Sequence, residues 1–281
     1  MPIRQPAVAG TWYPGSGGAL AREVDAYVDA ASPDLQGTVQ AVLAPHAGLM
    51  FSGPVAAWSY KAAAASPYDV AVLVGPSHYE GFDGFSVWPS GAFESPLGAA
   101  PIAEDVAARV LRSPMATDRP SAHAREHSLE MQLPFLRRLL PDVPIVPIVI
   151  GYQVRETIEA LADALTEAAQ SRRALLVASS DLSHYFDAKT AASLDGRVQE
   201  RIDRFDPDGL LALFEQYPEQ ERGRHVACGG GAAIAVMLAA RQLGSRHGRV
   251  LKYANSGDIS GDYDAVVGYL AAAFGSFGDA R

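Results

Sequence analysis

Short apolar runs that break off at proline or glycine set the pattern of this chain. Ala41-Val-Leu-Ala44 ends at Pro45, and Ala71-Val-Leu-Val74 ends at Gly75-Pro76. Residues 143–150 and 174–179 form two more such runs. Unbroken apolar runs of strand length, punctuated by Gly or Pro, read as strands buried on both faces of a mostly parallel sheet. Between them lie segments with helical spacing. Leu20, Val24, Tyr27 and Val28 mark one face of a helix over 19–31, which Ser32-Pro33 stops. A helix capped at Ser52 or Gly53, with Pro54 in its first turn, is expected to run to about 65. Further helices are expected at 102–112, 154–170, 189–204, 207–215 and 228–243. Segment 123–140 reads as helical, with Pro134 bending or restarting it. Strands at 250–255 and 265–272 close the chain. Strand–helix alternation persists throughout and no internal repeat appears. Residues 1–281 are therefore expected to form one α/β domain, with helices on both faces of a central sheet.

Two segments break the pattern. Residues 1–18, with Pro6, Gly10, Pro14 and Gly15 around Trp12 and Tyr13, read as an ordered arm anchored by its aromatics. In 80–100, Phe82, Phe85, Val87, Trp88 and Phe93 are interleaved with glycine and proline. This segment reads as a hairpin or inserted flap, and as a candidate contact surface.

Composition narrows the function classes. A formal charge of −9 and a pI near 5.2 argue against nucleic acid as a partner. Cys228 is the only cysteine, so no internal disulfide forms, and a reducing, cytoplasmic setting is expected. The first residues lack a signal-peptide pattern and no run is long enough for a membrane span.

The chemistry sits where the strands stop. Ligands of open α/β sheets bind beyond the carboxyl ends of the strands. Three ends present a histidine: His46 after the first run, His78 after the second, and His184 with Asp181 after the fourth. His46 and His78 are expected side by side at one sheet edge. Cys228 stands where the Gly229-Gly230-Gly231 helix begins, a position that favours a thiolate. Two imidazoles and a thiolate suit Fe, Cu or Zn, and three protein ligands leave a position open. His46, His78 and Cys228 are thus candidate metal ligands. His184 is the candidate acid/base, and Asp181 orients it or another site group. Trp12 is a candidate lining residue on the substrate side. Glu126 and His127 are candidates there too, or partners of a ligand imidazole. The plainer alternatives are a hydrogen-bonded structural histidine, a small apolar cysteine and a helix-capping Glu126. Spacing alone supplies no H-x-x-x-H or C-x-x-C motif. His123, His225 and His247 lie in polar surroundings and are expected to face solvent. The Cys-Gly-Gly-Gly turn could instead cradle an anion.

Six motifs in order resemble the Memo family: Pro6-Ala-Val-Ala-Gly-Thr-Trp-Tyr-Pro14, Pro45-His-Ala-Gly48, Gly75-Pro-Ser-His78, Glu126-His-Ser-Leu-Glu-Met-Gln-Leu-Pro134, Ser179-Ser-Asp-Leu-Ser-His184 and Cys228-Gly229. The resemblance implies a fold like that of the LigB-type class III extradiol dioxygenases. It also implies a site at His46, His78 and Cys228 with His184 close by. In prokaryotes the family is also labelled protein B of the AmmeMemoRadiSam system, which implies partners from that system. Family roles include copper- or iron-binding redox protein and phosphopeptide binder, so Fe2+ or Cu, with Zn2+ also accepted, is the implied cofactor. A non-enzymatic adaptor for a peptide or small anion, and a metal-dependent hydrolase, are the competing functions. Two departures bear on the chemistry. The related dioxygenases carry glutamate where this family has cysteine. The loop after His46 reads Leu49-Met50-Phe51, where tyrosines are frequent, so hydroxyls at the pocket are expected to be lost. Gly229-Gly230 is expected to open the pocket floor.

Overall fold

The computed structural model describes residues 2–278. Its strands, in chain order, are β1 (Ile3–Arg4), β2 (Gly37–Ala44), β3 (Val70–Pro76), β4 (Phe85–Val87), β5 (Ala92–Phe93) and β6 (Ala100–Pro101). They continue with β7 (Ala116–Thr117), β8 (Ile145–Ile150), β9 (Ala174–Ser179), β10 (His184–Phe186), β11 (His247–Asn255) and β12 (Val266–Phe277). The main sheet has nine strands in the order β10-β12-β2-β9-β3-β8-β4-β7, with β11 paired to β12. Its central block, β2-β9-β3-β8, is parallel. These are the strands whose sequences are continuously apolar, and from Ala41 to Ala44 and throughout β3, β8 and β9 every residue is buried. Burial on both faces is what such runs require. Antiparallel pairs bound this block: β12 runs against β2, β11 and β10, and β4 runs against β8, with β7 parallel to β4 at the far edge. The chain is thus one mixed α/β unit whose large central sheet is flanked by helices.

Several expectations shift. The helix Leu49–Ala63 starts earlier than Ser52, with Gly48 as its N-cap and Pro54 inside it. Proline there forfeits one intrahelical bond, to the carbonyl of Met50, an exposed residue. Pro134 restarts the chain as expected: the 3-10 turn Glu130–Gln132 gives way to the helix Leu133–Leu139, with Pro134 in its first turn. The last two strands are longer than the sequence pattern indicates. The helix Glu219–His225 was unforeseen because it has no buried residue and hence no apolar period.

Segment 80–100 is no projecting flap, because its large apolar side chains point inward. Phe82, Phe85, Val87, Trp88 and Phe93 are all buried. β4 extends the main sheet, while β5 and β6 join β1 in a small second sheet. The N-terminal arm is therefore a strand partner, with Ile3 opposite Ala92 and Arg4 opposite Phe93. It is fastened by a buried cluster. Glu130 pairs with Arg4 and accepts hydrogen bonds from Ala7 N (2.7 Å), Val8 N (3.0 Å) and Tyr13 Oη (2.6 Å). A fully buried carboxylate requires such satisfaction. Trp12 is carried on the arm thus held.

Candidate metal centre

β2, β9 and β3 are parallel, so their carboxyl ends open on one edge. His46 follows β2, Ser179-Ser180-Asp181 ends β9 and His78 follows β3. His46 and His78 sit side by side at this edge although their strands are not neighbours. β9 lies between them, and the two imidazoles lean across its end until their ring centroids are 5.2 Å apart, edge to face. The helix Gly230–Gln242 packs across β9, β3 and β2 and aims its start at the same edge. Cys228 sits just before that helix, with Gly229 as the N-cap.

The turn bearing Cys228 is pinned on every side. Cys228 N donates to Asp181 O (3.2 Å) and Gly229 N to Ser180 Oγ (2.8 Å). Gln153 spans the helix start, giving Nε2 to Cys228 O and accepting Gly231 N at Oε1, each at 2.7 Å. Gly229 and Gly230 do not widen the pocket floor. A Cβ on Gly229 would overlap the Ser179 carbonyl and Ser180, and one on Gly230 would overlap the Phe214 ring. The glycines let the turn close onto β9.

The result is convergence. Cys228 Sγ lies 3.3 Å from His46 Nε2. His46, His78 and Cys228 each offer a donor atom, all within 4.8 Å of one another, a set that could hold one metal ion. His78 turns Nδ1 to Glu126 Oε1 (2.8 Å), while Glu126 also accepts His78 N (2.7 Å) and Ser128 N (2.8 Å). That carboxylate–histidine pair leaves His78 Nε2 facing the cysteine, an arrangement common behind metal-ligating imidazoles. Glu126 is therefore a partner of an imidazole and not a helix cap. His127 stacks on His78 at 4.4 Å, and Trp12 covers His127 at 4.3 Å.

Charge follows geometry. Burial opposes ionisation of Cys228, but the His46 and His78 imidazoles beside it prevail and bring its pKa down to about 6. Burial likewise opposes charge on His78, and is overridden by Cys228 and Glu126 on its two sides, which raise it to about 10. Burial works against the Glu126 anion too; hydrogen bonds from His78 and backbone N–H groups win, and its pKa falls to about 2. His127 is driven the other way, to about 3, by burial and then by the neighbouring His46 and His78 imidazoles. It is a neutral wall. Burial raises Asp181, whose carboxylate accepts His46 N at 2.7 Å. Asp181 thus holds the His46 backbone, and no hydrogen bond from it to His184 is found among the described residues. His184 hydrogen-bonds Leu182 O through Nδ1 (2.7 Å), leaving Nε2 free. The next residue, Tyr185, has φ 62°, a left-handed conformation costly for a side chain of this size, and is largely exposed.

These groups surround a cavity of about 490 Å³ lined by Trp12, His46, His78, His127, Asp181, His184 and Cys228, with Tyr185 and Arg224 at its wall. All eight residues singled out in the sequence meet here, Glu126 from behind His78. Leu49, Met50 and Phe51, in the first turn of the helix Leu49–Ala63, are not among the residues lining it. His123 is buried and not solvent-facing. Its ring meets Ser86 Oγ at 3.1 Å, and burial lowers its pKa to about 4. His225 is half-buried and stacked on Tyr217, whereas His247 is exposed. Sequence reasoning passed over Ser179, Gln132 and Arg224. The signal for Gln132 was a lone amide inside the apolar stretch Met131-Gln132-Leu133.

A parallel α/β core with two histidines and a cysteine converging beyond its strand ends defines a class of potential metal-site proteins. The sequence model of the Memo-like protein family matches residues 4–273, and the chain belongs to that family. It is 35% identical to MEMO1 family protein MK0963 of Methanopyrus kandleri, over 96% of this chain and 98% of that one. It is 37% identical to a MEMO1 family protein of Thermotoga petrophila, again over 96% and 98%. Among solved structures, an uncharacterized protein, JW3007, from Escherichia coli K12 shares the fold, with a TM-score of 0.57 and 14% identity over 83% of this chain and 99% of that one. Among the described residues no single helix is long and apolar enough to cross a membrane.

Proposed function

We propose that this Memo-family chain is a cytoplasmic redox protein holding one iron or copper ion through His46, His78 and Cys228. The observation that carries the reading is the 3.3 Å approach of Cys228 Sγ to His46 Nε2, with His78 in the same donor cluster. The donor chemistry fits. Both imidazoles are hydrogen-bonded through Nδ1, and the sulfur is inclined to be a thiolate. Zinc accepts the same set, so metal choice is read from the loaded protein. A bound ion of this kind supplies Lewis acidity and one-electron chemistry at a position open to the cavity.

The chain's own groups have separable tasks in this reading. Glu126 and Ser179 orient the two imidazoles. Asp181 fixes the backbone at His46. His184, with Nδ1 committed to Leu182 O, offers Nε2 as the site's proton carrier. Trp12 and the uncharged His127 wall one side and limit water there. Metal per chain, measured after anaerobic loading with iron, copper or zinc, tests the proposal. About one ion per wild-type chain and a large loss in Cys228→Ala are expected. Equal, negligible metal in both proteins would sink the idea.

A further inference from the structure

The second imidazole of the cluster is aimed by a neutral device, and its hydrogen-bond bookkeeping fixes which nitrogen carries the proton. Ser179 Oγ has one proton and two lone pairs. It touches three groups: Ser128 O at 2.7 Å, Gln132 Nε2 at 2.7 Å and His46 Nδ1 at 2.9 Å. A carbonyl only accepts, so the hydroxyl proton goes to Ser128 O. An amide nitrogen only donates, so Gln132 fills one lone pair. The remaining lone pair can only accept, so His46 Nδ1 must bring a proton.

The Gln132 orientation on which this depends is itself determined. Its Nε2 lies 3.2 Å from Pro45 O, another obligate acceptor, so the amide nitrogen and not the oxygen must face that side. Gln132 Oε1 then accepts from Tyr60 Oη at 2.8 Å. Tyr60, Gln132, Ser179, Ser128 and His46 are all buried to 1% exposure or less, so water does not substitute for any of these partners. A buried group left unpaired is costly, which makes the arrangement self-consistent in one direction only.

We propose that Tyr60, Gln132 and Ser179 form a positioning relay that locks a proton on His46 Nδ1 and turns Nε2 toward Cys228. The consequence for metal binding rests on the metal reading above; the tautomer does not. His78 is locked in the same sense by a carboxylate, so the site pairs one ion-backed imidazole with one backed by a neutral hydroxyl. The hydroxyl confers direction without adding charge to the centre.

Long-range 1H–15N correlation on histidine-labelled protein, metal-free and zinc-loaded, tests the relay. The wild type is expected to show a protonated His46 Nδ1 in both states, with only Nε2 moving on zinc addition. Ser179→Ala is expected to lose the single tautomer and about 10- to 100-fold in zinc affinity, the usual cost of removing such a partner. An unprotonated His46 Nδ1 in the metal-free wild type overturns the relay, and so does a Ser179→Ala protein with unchanged tautomer and zinc affinity. If the wild type shows the expected tautomer yet binds no zinc, iron or copper, the relay stands and the metal reading falls. Should Ser179→Ala fail to fold, the wild-type spectrum still decides the tautomer.

Discussion

Titration of Cys228 is the sharpest probe of the site, because the cysteine has no competitor in the chain. In the metal-free protein its pKa is about 6 against an ordinary 9.0, brought down by the adjacent imidazoles despite burial. Three units correspond to about 4 kcal/mol in favour of the thiolate. At pH 7 roughly 90% of the sulfur is then ionised, against about 1% for an unshifted thiol. The rate gain is much smaller. Nucleophilicity falls with pKa at a Brønsted slope of about 0.4–0.5, so three units cost roughly 20- to 30-fold and the net advantage at pH 7 is only a few-fold. The rate at one pH is therefore a poor test and the midpoint is a good one. Alkylation by iodoacetamide, followed by intact mass, should rise with pH about a midpoint near 6 and then level off. In His78→Ala, which removes one of the two imidazoles that favour the thiolate, the midpoint should move up. A wild-type rate still climbing through pH 8.5 would refute the electrostatic reasoning. The linkage has a definite sign. The depressed Cys228 contributes stability that is full above about 9 and is lost as pH falls through about 6. The raised His78 contributes stability that is full below 6.5 and is lost as pH rises through about 10. The charged pair thus belongs to the window between about 6 and 10.

Two further outcomes probe what holds the site in place. Glu130→Gln keeps the shape but leaves Arg4 buried without its anion, so urea unfolding should show a loss of about 3–5 kcal/mol. A loss under about 1 kcal/mol would contradict the clasp. Gly229→Ala should cost about 1–3 kcal/mol by the same assay, because its Cβ meets the Ser179 backbone carbonyl, which has no rotamer to escape by. A change within about 0.5 kcal/mol would show that the turn has room.

Much of the site was legible along the chain because strands bury apolar runs and ligand groups follow where those runs stop. His46, His78, Asp181 and His184 were all placed by that rule, and Cys228 by the glycine-rich helix start. The mixed direction of the sheet was not legible. β12 reads as an ordinary apolar strand, and only its antiparallel pairing with β2 and β11 gives it a role at the edge. Nor could local pattern reveal that the aromatics of 80–100 are interior, since they are buried by partners from β8 and the N-terminal arm.

The sequence by itself determined the parallel core, the edge at which chemistry gathers and the side chains available there, because these follow from hydrophobic period and chain punctuation. Tertiary structure alone decided that β9 separates the two histidine strands, that Glu126 and Ser179 stand behind the two imidazoles, and that Gly229 is a packing surface. The reason is physical: direction and satisfaction of hydrogen bonds are properties of groups far apart in the chain, from Pro45 and Tyr60 to Ser179, and no local spacing encodes them.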